Sequence, residues 1–569
     1  MEIDEISTLL NDLSSIHFSP GPVYQNVERK KALLQSDELT SIYHLTESHA
    51  PGLRYKAIYR YEKNMQSECD NKHISINKMN IDFNCKDTSV ERNIAKMLEK
   101  VKEMPKEWVI VQLTPECNPN ENFETSPDVR YTNALHAPID KISGKPIGIR
   151  QEMESIITDN KKSFADIKVN HHKTEFFTSY MDKHVYQKAR YTINNRLKNL
   201  VKDIEDIWFK EWRCLFAGKL MNGGEQDLSE KLDALLLNCQ IDHVSEKIKC
   251  ILKCLMRCTN YLKIAEMKQI LQYCFPNNRE LYINLSKCIN ELTQNNTFSG
   301  YKRHPIILVI DEQLDTLPWE MLDVLQDHPV SRMPSLDFTY ALFKEHEDSI
   351  VDGVKVGIDS RKGKYIINPG LDLKRMEVRL HNFYKYWTPH WNGIVGTAPS
   401  CEEFEELLLN SDIFSYNGHG NGSQYFSSDK IQRLRINSVV VLFGCGSVKY
   451  VNLGPQVEMF GSNQMYLIAC SPCLVGMLWE VTDVDTDILA TEFWSTWLPN
   501  DSKVHWKHID KKKWESVGEI EPASMVEATN LLESNEPELL RVLCKAKKCA
   551  RQFLTQASCV ARGIPVKIK

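Results

Sequence analysis

Two short stretches of the chain set a reactive side chain between glycines. In FSYNGHGNGSQYF (414–426), His419 lies between Gly418 and Gly420; in VVVLFGCGS (439–447), Cys445 lies between Gly444 and Gly446. Each follows an apolar run of strand type. A glycine-flanked histidine alone reads as a loop residue, and a lone cysteine after a strand says less. The pair on consecutive strand ends says more. Thiol catalysis needs a nucleophile, a base close to the sulfur and backbone N–H groups for an oxyanion. Glycines let the backbone turn sharply and a substrate approach closely. If the two strands are neighbours, both side chains emerge on the rim where open α/β sheets bind ligands.

The elements around the pair alternate. From about residue 300 the chain reads as short apolar strands (HPIILVID, DGVKVGID, GKYIINP, WNGIVGTAP, DIFSYNGHG, SVVVLFGCGS, QMYLIACSPCLVG) separated by helices such as MEVRLHNFYKYW, CEEFEELLLNS and TDVDTDILATEFWSTWL. This pattern predicts a mainly parallel sheet with helices on both faces. Upstream, KEWVIVQLT (106–114) is a strand, followed by a polar, turn-rich stretch expected to be a loop. Long charged helices fill 186–218 and 229–290. Residues 1–105 read as helical and weakly structured, with a break at SPGPVYQ (19–25) and a short amphipathic turn at Leu9, Leu10 and Leu13.

Bulk properties exclude several classes. The net charge is 70 − 76 = −6, so no global basic field recruits nucleic acid. No run of about 18 apolar residues predicts a membrane span, and the acidic N-terminus lacks a signal-peptide pattern. The 17 irregular cysteines suit a reducing compartment. Cys250, Cys254 and Cys258 fall four apart on a helix, a buried stripe rather than a metal site, and no metal or cofactor is expected. Cys470 and Cys473 superficially suggest a redox pair, but core packing suits them better. The basic patch WKHIDKKKW (506–514) reads as a solvated loop. Asp483, Asp485 and Asp487 in WEVTDVDTDIL can favour a helix N-terminus or receive a basic side chain; Asp483 and Asp487 share one helix face.

The combination WNGIVGTAPS, FSYNGHGNGSQYF, VVVLFGCGS and SPCLVGMLWEVTDVDTD closely resembles the protease domain of separase, the caspase-like cysteine endopeptidase that opens cohesin rings at anaphase. Upstream ILVIDEQLDTLPWEML, PVSRMPSL and YIINPGLDL extend the likeness, with a weaker echo in WFKEWRCLFAG (208–218). The resemblance implies an α/β caspase-like protease domain over 301–569. It implies a degenerate caspase-like domain with a helical insert over 106–300 and a helical segment over 1–105. It makes Cys445 the nucleophile and His419 its acid–base partner, with the N–H groups of Gly420 and Cys445 as the oxyanion hole. Asp487, supported by Asp485 and Asp483, becomes the pocket for an arginine before the cleaved bond. No third catalytic residue is assigned.

Implied partners are a cohesin kleisin substrate, a securin-type pseudosubstrate inhibitor and a separate helical chain. The last follows from the short region before the protease half, as in the separases of flies. The implied location is cytoplasm and nucleus, on chromosomes in mitosis. Two departures stand out: Gly446 where the family commonly has serine, and Trp479-Glu480 in place of Trp-Asp. ELLR (538–541) matches the family's cleavage pattern but falls in a predicted helix. The rival readings are a catalytically inactive caspase-like scaffold and, more distantly, a thiol oxidoreductase.

Overall fold

The computed structural model describes residues 21–66, 75–81, 89–115, 129–133, 147–171, 180–241, 243–293, 298, 300–454, 457–499, 502, 504–523 and 535–569. The strands are β1 (Val109–Pro115), β2 (Val129–Asn133), β3 (Ile306–Ile310), β4 (Val330–Met333), β5 (Ile350–Val351), β6 (Val354–Ile358), β7 (Gly363–Ile367), β8 (Asn392–Val395), β9 (Ile413–Asn417), β10 (Val439–Leu442), β11 (Cys473–Met477), β12 (Cys559–Gly563) and β13 (Val566–Ile568). Ten of them form one sheet in the order β2-β1-β3-β4-β12-β11-β10-β9-β7-β8, while β13, β6 and β5 form a small separate sheet.

The large sheet has two parallel blocks. In one, β1, β3, β4 and β12 run together; in the other, β11, β10, β9, β7 and β8 do. The blocks meet where β11 and β12 pair antiparallel. β3, β4, β9, β10, β11 and β12 are buried at every residue. Such runs arise when both faces of a sheet are covered, which explains why these strands read as continuous apolar stretches rather than alternating ones.

The seam carries charge. Arg562 on β12 lies in register with Arg332 on β4, and both are buried. Two adjacent buried cations require counter-ions. The loop after β3 supplies them. Both Asp315 carboxylate oxygens accept from Arg562, at 2.7 and 2.6 Å. Glu320 accepts from Nε and Nη2 of Arg332, at 2.7 and 2.6 Å, and the Asp315 and Leu317 carbonyls accept from Arg332 as well.

Several expectations change. The apolar run QMYLI is part of a helix, Ser462–Ile468, and only Cys473–Met477 is strand. A run buried on all sides does not reveal its period. The turn-rich stretch after β1 ends in strand β2, antiparallel to β1. SPGPVYQ is where a helix, Gly21–Leu34, begins. The segment 186–218 is not one helix: Tyr180–Asp203 is α-helical, and the turns after it change pitch around Lys210, which adopts φ 47°. Leu9, Leu10 and Leu13 lie outside the described residues.

The described N-terminal helices are firmly docked rather than weakly structured. Arg29 pairs with Asp311. Arg54, fully buried, reaches Glu47 at 3.2 Å and Asp337 at 3.4 Å. The Gly52 N–H donates to Glu458 at 2.6 Å. Glu312, beside Asp311, accepts from Gln25 at 3.0 Å. Burial and the neighbouring Asp311 and Glu458 carboxylates push Glu312 up to about 8; burial, opposed by the Gly52 and Leu53 N–H groups, pushes Glu458 to about 7.

Two outcomes follow from these buried charges. Asp315→Ala leaves Arg562 buried and unpaired, and should cost about 3–5 kcal/mol in urea unfolding, whereas Asp315→Leu with Arg562→Met should cost less. A carboxyl whose value is raised in the folded state stabilises fully below its unfolded value and loses that contribution as pH rises through the folded one. Melting temperature should therefore fall between about pH 5 and about pH 8, and Glu312→Gln should flatten that slope.

Candidate active site

Four neighbouring parallel strands end on one rim, and each hands over to a loop of the site. β9 and β10 pair directly, Ile413 with Val439 through Tyr416 with Leu442. His419 follows β9 and Cys445 follows β10, so both emerge on the same edge, as expected if their strands were neighbours. β7 flanks β9, and β11 flanks β10.

The glycines bring the two loops together. A Cβ on Gly444 would fall on the Gly420 carbonyl oxygen and within 2.6 Å of the Gly418 carbonyl oxygen. The backbones on either side of His419 and before Cys445 are thus in direct contact, which no other residue type at 444 allows. Gly420 and Gly446 adopt φ of 63° and 60°, in the left-handed region that favours glycine. Tyr416, at the end of β9, donates its hydroxyl to the His419 carbonyl at 2.9 Å. Among the described residues, neither the Gly420 nor the Cys445 N–H donates to a backbone carbonyl.

The imidazole has a partner that sequence reading missed. His419 Nε2 lies 2.9 Å from Asp372 Oδ2, and both side chains are exposed. Asp372 sits in NPGLDL after β7. Asn368 organises that loop at φ 48°: its N–H donates to the Asn417 carbonyl at 2.8 Å, and its side-chain oxygen accepts from Leu373 N at 3.0 Å. The sequence signal was a carboxylate just beyond a strand end. Its relevance depends on β7 lying beside β9, although β8 intervenes in the chain.

Cys445 is half-buried. Its thiol donates to the Val481 carbonyl at 3.3 Å, and the Val481 N–H points at Sγ at 3.4 Å. Burial pushes the thiol up, the Val481 N–H opposes this, and the Glu480 and Asp483 carboxylates push in the same direction as burial.

The three aspartates occupy different surroundings. Asp487 is buried and accepts from Arg379 Nε at 2.7 Å and Nη2 at 2.6 Å. Asp483, nearly half exposed, lies 3.3 Å from the same guanidinium. Burial, opposed by Arg379, pushes the Asp487 carboxyl up to about 8. Asp485 instead accepts the N–H groups of Arg551 and Gln552 at 2.6 and 3.1 Å. Asp483 and Asp487 therefore converge on Arg379, and Asp485 faces away from them. No sequence signal pointed to Arg379, which lies on the helix Lys374–Trp387.

Other candidates take no part in the rim. Cys470 and Cys473 are buried, and burial pushes both thiols up, Cys473 to about 12. No cluster of potential metal ligands occurs among the described residues. Among them, too, no helix is long and apolar enough to cross a membrane. Arg541 of ELLR is buried in the helix Leu539–Lys547 and bonded to Glu538 at 2.7 Å.

The family described as "Separin, protease domain" matches residues 144–486, well over half of the chain. The chain belongs to this family. The matched span contains Asp372, His419 and Cys445. Similar curated proteins are Separin of Mus musculus, 27% identical over 324 residues, and Separin of Schizosaccharomyces pombe, 34% over 203 residues. These matches cover 56% and 36% of this chain but only 15% and 11% of the separins. The crystal structure of the Saccharomyces cerevisiae separase–securin complex matches all of this chain and 38% of that one, with a TM-score of 0.68 at 17% identity. The fold is thus that of the separase protease domain, a mostly parallel sheet with helices and a helical N-terminal region.

Gly444→Ala tests the close approach in this separin protease domain. It should drive the loops of His419 and Cys445 apart and lower the rate of any peptide cleavage by the chain about 100-fold, the scale of a displacement near 1 Å between reacting groups. Circular dichroism should stay unchanged.

Proposed function

We propose that the chain is a cysteine endopeptidase in which Cys445 attacks the scissile carbonyl and His419 moves the protons. The observation that carries this reading is the contact of Gly444 with the backbone flanking His419, which sets thiol and imidazole on adjoining loops of one rim. Asp372 accepts the Nε2–H of His419, leaving Nδ1 as the basic nitrogen. In the resting arrangement the thiol is held by Val481. Substrate binding turns it toward Nδ1, since catalytic hydrogen bonds commonly tighten only in the substrate complex. The imidazole takes the thiol proton as the C–S bond forms. The N–H groups of Gly420 and Cys445 receive the oxyanion. The imidazolium then protonates the leaving amine as the C–N bond breaks, and water, deprotonated by His419, hydrolyses the thioester.

The substrate we infer is the kleisin subunit of cohesin, cut after an arginine, so that sister chromatids separate at anaphase. A guanidinium is best read by a carboxylate in a bidentate pair. Asp483 is the one of the three aspartates that is nearly half exposed, and it acts on the Cys445 thiol. With Asp487 engaged by Arg379, Asp483 presents the charge and Asp487 and Arg379 set its position. Asp485 holds the start of the same helix in place. A securin-type pseudosubstrate would occupy the same rim, in keeping with the separase–securin complex whose fold this chain shares. A separate helical chain is a further partner we propose, and the cytoplasm, nucleus and mitotic chromosomes are the expected places of action. Within this reading, residues 106–300 act as the non-catalytic partner of the catalytic half at 301–569. One observation favours the rival scaffold, the engagement of the thiol by Val481 rather than by His419.

The deciding assay is cleavage of an arginine-containing kleisin peptide by the purified chain. Cys445→Ser should abolish cleavage; equal rates for variant and wild type would sink the protease reading, and no cleavage by either would favour the scaffold. Asp372→Asn should lower kcat by roughly 10- to 100-fold with KM little changed, because it removes the orientation of the base rather than the base itself. Asp483→Asn should raise KM for peptides with arginine before the cut and leave peptides with a neutral residue there unaffected.

A further inference from the structure

The peptide unit that touches the Cys445 sulfur is gripped from its other side. Its N–H belongs to Val481 and points at Sγ at 3.4 Å. Its carbonyl belongs to Glu480 and accepts from Asn160 Nδ2 at 3.0 Å. Asn160 is fully buried and lies on the helix Ile147–His171, far upstream of the rim. Its amide orientation is set at both ends, because Oδ1 accepts from Arg190 Nη1. Arg190, on the helix Tyr180–Asp203, also donates from Nε and Nη2 to Gln552 Oε1 at 3.0 and 2.6 Å. Asn194 of the same helix accepts the Leu554 N–H at 2.8 Å. The helix Ile147–His171 is thereby fixed to the segment beside Cys445, and the helix Tyr180–Asp203 to Gln552 and Leu554.

We propose that Asn160 is a positioning residue for Cys445, acting through the Glu480–Val481 peptide to keep a backbone N–H on the sulfur and so favour the thiolate. The inference rests on the reading of Cys445 as the nucleophile. Hydrogen bonds in series across one peptide polarise each other. A donor to the charged form of a group favours that form. Without Asn160, the Glu480 carbonyl loses its donor, the peptide is free to rotate and the sulfur loses its N–H. The charged surroundings make this contact matter. Glu480 and Asp483 disfavour the thiolate, Arg190 attracts it, and His419 faces the rim from the β9 loop. Asn160 also holds Arg190, so a single side chain supports two of the features that favour the anion.

The test is the pH dependence of Cys445 alkylation by iodoacetamide in the full chain, followed by mass spectrometry of the Cys445 peptide. The exposed Cys549 serves as an internal reference. In Asn160→Ala and Asn160→Ser the midpoint for Cys445 should rise by about 0.5–1 pH unit and its rate at pH 7 should fall about 3- to 10-fold, while the Cys549 profile stays fixed. Peptidase kcat should fall with KM little changed. If one variant fails to fold, the other decides. Superimposable Cys445 profiles for a folded variant and wild type would overturn the proposal. Alkylation needs no turnover, so an active Cys445→Ser enzyme would remove the protease reading without deciding this measurement.

Discussion

The pairing of Arg562 with Asp315 is the contact on which the remaining architecture hangs. β12 belongs to the parallel block formed with β1, β3 and β4, yet it pairs antiparallel with β11 of the other block. Asp315, from the loop after β3, holds it from one side. On the other side Arg562 Nη2 donates to the Val448 carbonyl at 3.0 Å, three residues beyond Cys445. One guanidinium therefore joins the seam between the halves to the loop that carries Cys445. Ser447 reinforces that loop, donating to the Leu442 carbonyl at 2.7 Å and accepting the Met477 N–H at 3.0 Å. The loop of Cys445 and the seam share the same few bonds.

The rim shows how a parallel sheet gathers chemistry from distant residues. Asp372, His419, Cys445 and Asp483 follow β7, β9, β10 and β11, which lie side by side. None of these side chains needs a neighbour in sequence, because the strand order sets them next to one another. Behind the rim, the helices Lys374–Trp387 and Asp483–Trp497 are locked by Arg379 and Asp487 and by the rings of Tyr384, Trp391 and Trp494. The aspartate-bearing helix is thus supported by packing as well as by charge.

Much of this was legible beforehand, for physical reasons. Apolar runs buried on both faces declare strands, and reactive residues flanked by glycine declare strand ends, so β9, β10, His419 and Cys445 could be placed. What stayed hidden depends on strand order and long-range pairing. Asp372 matters only because β7 lies next to β9. Arg379 engages Asp487, the aspartate favoured as an arginine receptor, across 108 positions of chain. Asn160 is an ordinary polar residue on an ordinary helix until Glu480 is set against it. The helix Ser462–Ile468 was misread because complete burial erases the periodicity that separates helix from strand.

The place of β1 has an outcome for anyone who divides the chain. β1 pairs with β3 across five residues, Val109 with Ile306 through Leu113 with Ile310, although the insert separates them in sequence. A fragment beginning near residue 301 would keep Cys445 and His419 but uncover the long flank of β3. That flank is Ile-Ile-Leu-Val-Ile, with backbone N–H and C=O groups left to recruit another strand. Such an edge is a template for aggregation. The upstream region thus sheathes the half that carries Cys445 and His419, and expression of that half alone trades a smaller protein for a sticky one.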